Sequence, residues 1–446
     1  MSLFGALFSG VSGLNAQSRA MGMISDNVAN VNTTAYKGAQ AQFANMVTRS
    51  RGSSTYSPGG VRAQSFYTVA NQGLVQGSSS PTDAAISGAG FFVVTAETGG
   101  TGEQFYTRAG SFNPDFQGDL RTPSGHYLQG WALDANEAII DVNTVETVNV
   151  RSINGLAAAT TMVEVGANLD ADQAAYAGAY AAGDLTAYRA SGGASGVAPT
   201  FTRAVQVYDS LGRAHDLTLA FLRAGAANSW AVEVAADTAD VNAGTHPNGL
   251  LASGTVTFAG DGSLQTAALT PVVSAVSGTP VEIDWAAADG ADPSQISFDF
   301  GTVGGVDGLS QFASPTSVAF VTQNGAEVGE LSAVSIDDQG YVIASFTNGE
   351  ERRLYQLPIA TFANPTALDP RSGNVYAQTD ASGEYNLRTA GDGGAGVVAA
   401  SALESANVDL AEEFTKMIVT QRAYSANAKV INTADQMLDE LMRMTS

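Results

Sequence analysis

The chain of 446 residues contains no cysteine, three histidines, and 20 lysines and arginines against 43 aspartates and glutamates, a net charge of −23. Without cysteine there is no disulfide, no thiolate metal site and no cysteine nucleophile. So few bases exclude nucleic acid and anionic membrane as main partners, because both are bound through Lys and Arg. Charge of either sign is scarce, at 14% of residues where about 25% is usual. No run of about 20 apolar residues occurs, so nothing reads as a membrane span. The first 18 residues carry no charge. Even so, no base precedes their apolar part, and Ser9, Ser12, Asn15, Gln17 and Ser18 interrupt it, so they read as mature protein and not as a cleaved signal peptide. The 44% of hydrophobic residues is enough for packed cores. The length suits two to four domains.

The charge is distributed unevenly. Residues 1–62 hold five bases and one acid, a net of +4, and residues 402–446 hold seven acids and four bases, a net of −3. Between Arg223 and Arg352 there is no Lys or Arg, yet that stretch carries 16 acids. The ends are oppositely charged and the middle is acidic.

Both ends carry a seven-residue apolar repeat. Near the start, Leu7, Leu14, Met21 and Val28 form one seam, and Leu3, Gly10, Gln17, Ile24 and Val31 form its companion, weakest at Gly10 and Gln17. A helix over 3–31 is predicted, roughly 43 Å long. Near the end, Leu403, Leu410, Met417, Tyr424, Ile431 and Leu438 recur without a miss, accompanied by Phe414 and Met442. No Pro or Gly interrupts 402–446. The ordinary reading of such a stripe is a helix packed on its own core. Length, period and placement at both ends favour two long helices that pair with each other or with copies of themselves. A helix with one apolar stripe is poorly stable alone, so these are expected to order only when neighbours cover them.

The middle reads as β structure. Three segments, 111–120, 258–264 and 334–342, run apolar, then Asp and Gly, then apolar, as hairpins do. Arg51–Gly60, 188–198 and Gly391–Gly396 read as linkers. Catalysis finds no support. His126, His215 and His246 stand alone without metal-ligand spacing, and the first two read as turn or surface residues. Paired acids such as Asp337-Asp338 and Glu412-Glu413 read as a turn and a solvated helix face. Gly391, Gly393 and Gly396 fit GxGxxG but lack the surrounding βαβ unit, so they read as a linker. No cofactor and no metal is implied.

The segment Asn27-Val28-Ala29-Asn30-Val31-Asn32-Thr33-Thr34-Ala35-Tyr36-Lys37 resembles the N-terminal signature of the flagellar rod and hook family of axial proteins. The usual form has glycine where this chain has Ala35. Ala84–Val94, Tyr106–Phe112 and Gly125–Gly130 are similar to further blocks of that family. Leu403–Leu410, which contains Asn407, and Gln421-Arg422-Ala423-Tyr424-Ser425-Ala426-Asn427 resemble its C-terminal signature. The segment Val207–Leu217 is similar to a block of the hook branch, and Leu357–Pro365 looks like the return into an inner β domain.

The resemblance implies a structural assembly protein and not an enzyme. The expected product is a curved helical homopolymer that bends while transmitting torque. Its implied partners are itself, rod and hook–filament junction proteins, a hook cap and a type III export apparatus, with no nucleic acid and no membrane. Its implied location is extracellular, in the flagellar hook, reached without a cleaved signal peptide. A distal-rod or junction protein of the same family is the nearest alternative, and a secreted β-rich glycosidase or adhesin is the alternative from another class. The fold class expected is α+β, with terminal helices in a coiled-coil-like layer and nested, discontinuous β-rich domains. Residues 1–31 and 402–446 would form the helical domain and 32–70 a connecting segment. Residues 71–156 with 325–390 would form an inner β domain, 157–324 an outer one, and 391–401 a glycine-rich linker. The helix seams are the candidate assembly residues. Asn27, Asn30, Asn32, Thr33, Tyr36, Lys37, Asn407, Gln421, Arg422 and Asn427 are the candidate signature residues.

Overall fold

The computed structural model describes residues 3–46, 59–99, 102–134, 136–151, 155–273 and 280–445. The linker expected at 51–60 lies outside them except for its last two residues. Three α-helices form, α1 (Leu3–Ala29), α2 (Asp184–Ala190) and α3 (Leu410–Thr445), and the rest of the regular structure is β. The chain divides into two compact units, one of 1–152, 333–344 and 351–446, the other of 153–332 and 345–350.

In the first unit α1 and α3 pack side by side. Gly10 lies against Ile431 and Gly13 against Asn427, while Ala20 and Ile24 share a pocket with Glu413 and Thr420. The pairing is therefore antiparallel. A hairpin of Ala39–Asn45 and Val61–Tyr67, in register from Ala39↔Tyr67 to Asn45↔Val61, packs on α1. The expected connecting segment 32–70 is thus partly sheet, because Ala39 and Ala63 bury their small side chains there. The β body of this unit centres on Phe91–Thr95, which is buried along its whole length. That strand pairs with Gln104–Thr107, Tyr127–Ala132 and Ile359–Thr361. Val69, Phe91, Val93, Tyr106, Ala360, Leu368 and Tyr376 form a core cluster.

Two expectations at the C-terminal end are corrected. The helix does not begin at 402. Ala402–Glu404 is a strand paired with Val75–Gly77, and α3 starts only where Asp409 caps it, its Oδ1 accepting from Ala411 N at 2.7 Å and Glu412 N at 3.2 Å. Leu403 continues the seven-residue repeat but sits on that strand. Likewise 391–401 is not all linker, since Val397–Ala400 pairs with Ala84–Ser87. The grouping of residues also differs. Residues 325–332 belong to the second unit, where Ala326–Gly329 pairs with Leu156–Ala158.

The second unit has a sequential antiparallel sheet, 201–208, 214–223, 229–235, 250–258 and 264–271, and a second sheet built around Met162–Asn168. They share one core that includes Val165, Leu217, Leu219, Phe221, Trp230, Val256, Ile283 and Ile296. Leu185 of α2 packs with Leu222 and Ala231 in a separate cluster. Buried Glu233 accepts the N–H groups of Gly183 and Thr186, both at 2.8 Å, and so satisfies the first turn of α2. His215 corrects the sequence expectation. It is buried in a strand, stacked on Trp285 at 4.1 Å and within 3.2 Å of Asp209. Among the described residues no group of three His, Cys, Asp or Glu could hold a metal.

Candidate assembly site

The end of α1 is shaped by its own polar side chains. Asn30 Nδ2 donates to the Asp26 carbonyl at 2.9 Å, and Asn30 Oδ1 accepts from Thr33 Oγ1 at 3.1 Å. The backbone then reverses through buried Ala35, whose φ of 54° lies in the left-handed region. A Cβ costs roughly 1–2 kcal/mol there. The Ala35 N–H donates to the Glu404 carbonyl at 2.7 Å.

Asn27 is buried, and its amide ties three segments together. Nδ2 donates to Ala39 O at 2.9 Å and Glu413 Oε2 at 3.1 Å, while Oδ1 accepts from Ala39 N at 2.9 Å and Tyr36 Oη at 3.2 Å. Burial pushes the Tyr36 hydroxyl above its usual range, reinforced by the charge of Asp26. Glu413 also accepts from Lys416 at 2.8 Å. Asn407 acts similarly, accepting from Gly38 N at 2.8 Å and donating to Thr68 O at 3.0 Å and Asn71 O at 3.1 Å.

Beneath these amides lies a buried ionic cluster. Lys37 Nζ is 2.5 Å from Glu404 Oε1, and both side chains have no exposed surface. Lys37 also donates to Asn71 O at 2.6 Å. Arg108 approaches the other oxygen of Glu404 at 3.4 Å and donates to the carbonyls of Gly88 at 2.7 Å and Ile86 at 3.2 Å. Two buried cations share one carboxylate. Three carbonyl oxygens and the Phe91 ring, 5.3 Å from the guanidinium, supply the remaining negative potential. Burial pulls both Lys37 and Arg108 below their usual ranges, opposed by Glu404. Gly73 N donates to Glu404 at 2.6 Å. A Cβ on Gly73 would stand 2.0 Å from the Ser405 carbonyl, so no other residue fits.

The helix pair itself is closer than the seams imply. The buried face of α1 is Gly10, Gly13, Ala16, Ala20, Ile24 and Asn27. A Cβ on Gly13 would meet the Asn427 side chain at 2.8 Å. Small residues therefore set the contact, and Gly10, the weak spot of the stripe, is one of its closest points. Leu7, Leu14, Met21, Val28 and Val31 are half-buried at its flank, and the side chain of Leu3 lies outside the described part. On α3 the covered residues include Glu413, Thr420 and Ala434, with Met417, Asn427, Ile431 and Leu438 half-buried. Leu410, Phe414, Tyr424 and Met442 are exposed. Of the signature residues, Asn32, Gln421 and Arg422 are exposed and belong to neither the ionic cluster nor the helix contact.

Two corrections follow. In the single chain α1 and α3 each cover part of the other, so their cover does not come from neighbouring copies alone. The expected seam of α3 is only partly covered by α1, with Met417, Ile431 and Leu438 half-buried and Leu410, Phe414, Tyr424 and Met442 exposed. At about 100° per residue, Leu410 and Phe414 lie roughly a quarter-turn to one side of the covered face, and Tyr424, though exposed, lies much nearer to it. Val419, Val430 and Met437 lie roughly a quarter-turn to the other side, and all are exposed. On α1, Phe4, Phe8 and Val11 are exposed, the first two by 75% and 56%. Large apolar side chains thus face outward while small ones make the internal contact.

Sequence reasoning passed over Arg108, Glu404 and the glycine–alanine face. The available signal was a lone base or acid inside an otherwise apolar block, and small residues recurring every three or four positions.

Comparison with known proteins places the whole chain. Residues 7–37 match the family described as flagella basal body rod protein, 85–164 the flagellar hook protein FlgE/F/G D1 domain, 198–326 the flagellar basal body protein FlaE D2 domain, and 399–444 the flagellar basal body rod FlgEFG protein C-terminal. The flagellar hook protein FlgE of Rhizobium meliloti is 35% identical over 448 aligned residues, covering 100% of both chains. That of Caulobacter vibrioides is 33% identical over 593 aligned residues, again 100% of both. That of Escherichia coli is 30% identical over 438, covering 97% of this chain and 98% of its own. By similarity along its full length, the chain belongs to the flagellar hook protein family, a family of structural proteins and not of enzymes.

Proposed function

We propose that copies of this chain assemble through the outward apolar faces of α1 and α3 into the helical tube of the hook, a curved joint that carries torque. The observation that carries this is the row of exposed Leu410, Phe414, Tyr424, Val419, Val430 and Met437 on a helix already paired inside the chain. An exposed apolar surface of that extent marks an interaction site. Because the residues sit on both flanks of the pair, each copy has more than one neighbour to meet, and such heterologous contacts build open tubes. The buried Lys37–Glu404–Arg108 cluster would fix the helix pair to the β body so that force passes between them. Rod and hook–filament junction proteins at the two ends, a hook cap at the growing tip, and delivery by a type III export apparatus without a cleaved signal peptide complete the reading.

The test uses the full chain. Phe414→Ser and Val419→Ser change exposed positions, so the folded chain should keep its stability within about 0.5 kcal/mol. Polymer formation should be lost or need a much higher concentration. If both variants assembled like the parent chain, α3 would not be an assembly face.

A further inference from the structure

One end of the helix pair carries protruding rings, and the other end carries a hole. Phe4 and Phe8 project from the uncharged start of α1. About 22 Å further along the same helix, at 1.5 Å per residue, a pocket of ≈ 200 Å³ opens among Met23, Ile24, Ala41, Phe43, Lys416 and Thr420. A cavity of about 150 Å³ accepts a benzene ring, so this pocket has room for one phenyl group. Its cation, Lys416, is already held by Glu412 at 3.0 Å and Glu413 at 2.8 Å. No unpaired charge at the pocket therefore opposes an uncharged aromatic segment. The pocket is also continuous with the helix contact, since Ile24 belongs to the buried face of α1.

We infer that the occupant is Phe8, with Phe4 beside it, of a second copy of this chain. The rings and the pocket are separated by roughly 22 Å along α1, so the rings do not fill the pocket of their own chain. Joining the ring end of one copy to the pocket end of the next leaves a free ring and a free pocket at the two extremes. That is the open, head-to-tail geometry that extends without closing. The inference rests on the polymer reading above and names which surfaces meet along the pile of copies.

The natural absence of cysteine makes the test direct. In full-length Phe8→Cys/Phe43→Cys, assembled and treated with a short bismaleimide, a ladder of covalent multimers is expected on a denaturing gel. Neither single variant should give it, nor should the control pair Phe8→Cys/Val430→Cys. A ladder from the control pair instead, a link confined to one chain, or a polymer that does not cross-link would overturn the pairing while leaving the polymer intact. Failure of the parent chain to polymerise at all would overturn the polymer reading, and this inference with it. As a second readout, Phe8→Ala, checked for unchanged helix content, should raise the critical concentration about 30-fold, the loss typical of truncating a central interface aromatic. An unchanged critical concentration would refute the role of Phe8.

Discussion

Glu404 is the most consequential single side chain in the first unit, and Glu404→Gln tests why. The carboxylate receives Lys37, Arg108 and the Gly73 N–H with no exposure to water. Glutamine keeps the size and one acceptor oxygen, but it removes the only anion of the cluster and turns an NH2 toward a cation. Leaving a buried charge without its partner costs about 3–5 kcal/mol. Lys37→Met is the informative counterpart. It removes one of two cations, and Glu404 keeps Arg108 and Gly73. Asn71 O still accepts from Asn407 at 3.1 Å. The loss there should be about 1–2 kcal/mol, that of a hydrogen bond to a charged group. The assay is calorimetry and urea unfolding of the unpolymerised full chain, following the transition of the first unit. The second unit serves as an internal reference. At 2–4 °C per kcal/mol for a body of this size, Glu404→Gln should lower that transition by roughly 10 °C and Lys37→Met by about half as much or less. Equal losses, or a loss below about 1 kcal/mol for Glu404→Gln, would show that the cluster is not the anchor described.

Other outcomes follow from the same geometry. Ala35→Gly should stabilise the first unit by about 0.5–1 kcal/mol in urea unfolding, because glycine takes the left-handed φ of 54° without the penalty of a Cβ, less its greater chain entropy when unfolded. Gly13→Leu should separate α1 from α3 at Asn427, cost about 1–3 kcal/mol and abolish polymer formation, read by sedimentation; normal assembly would contradict the close approach. Tyr36 should make stability fall above about pH 10. Burial, then the charge of Asp26, raises its pKa from 10.0, so the folded chain holds a proton that the unfolded chain releases. The contribution is complete below pH 10 and is lost as pH rises through the folded value. Tyr36→Phe should flatten that slope above about pH 10 in urea midpoints, and an unchanged slope would exclude Tyr36 as its source.

Much of this was legible in the chain order. The uninterrupted α3, the hairpins with Asp and Gly at their turns, and the β middle follow from local periodicity and turn chemistry. Such patterns depend on residues near one another, and the structure keeps them. The hairpin at 258–264 pairs Phe258 with Leu264, and that at 111–120 pairs Pro114 with Leu120. The sequence signatures also marked Asn27, Tyr36, Lys37 and Asn407 as special without saying what they touch.

What those residues do depends on partners hundreds of positions away. Lys37 meets Glu404 and Asn27 meets Glu413 across 367 and 386 residues, and no local pattern pairs them. The repeat at 403 misread a strand as helix because an apolar residue satisfies either period, and only pairing with Val75–Gly77 decided it. The same holds for the helix faces. A heptad stripe tells which side of a helix is apolar, and it does not tell whether its own chain or another copy will cover it. By itself, then, the sequence determined the elements, their periodicity and the family. The tertiary structure decided that glycine and alanine make the internal helix contact and that Phe4, Phe8, Phe414 and Val419 face outward. Close approach of two backbones favours the smallest side chains, which leaves the largest ones available to a neighbour.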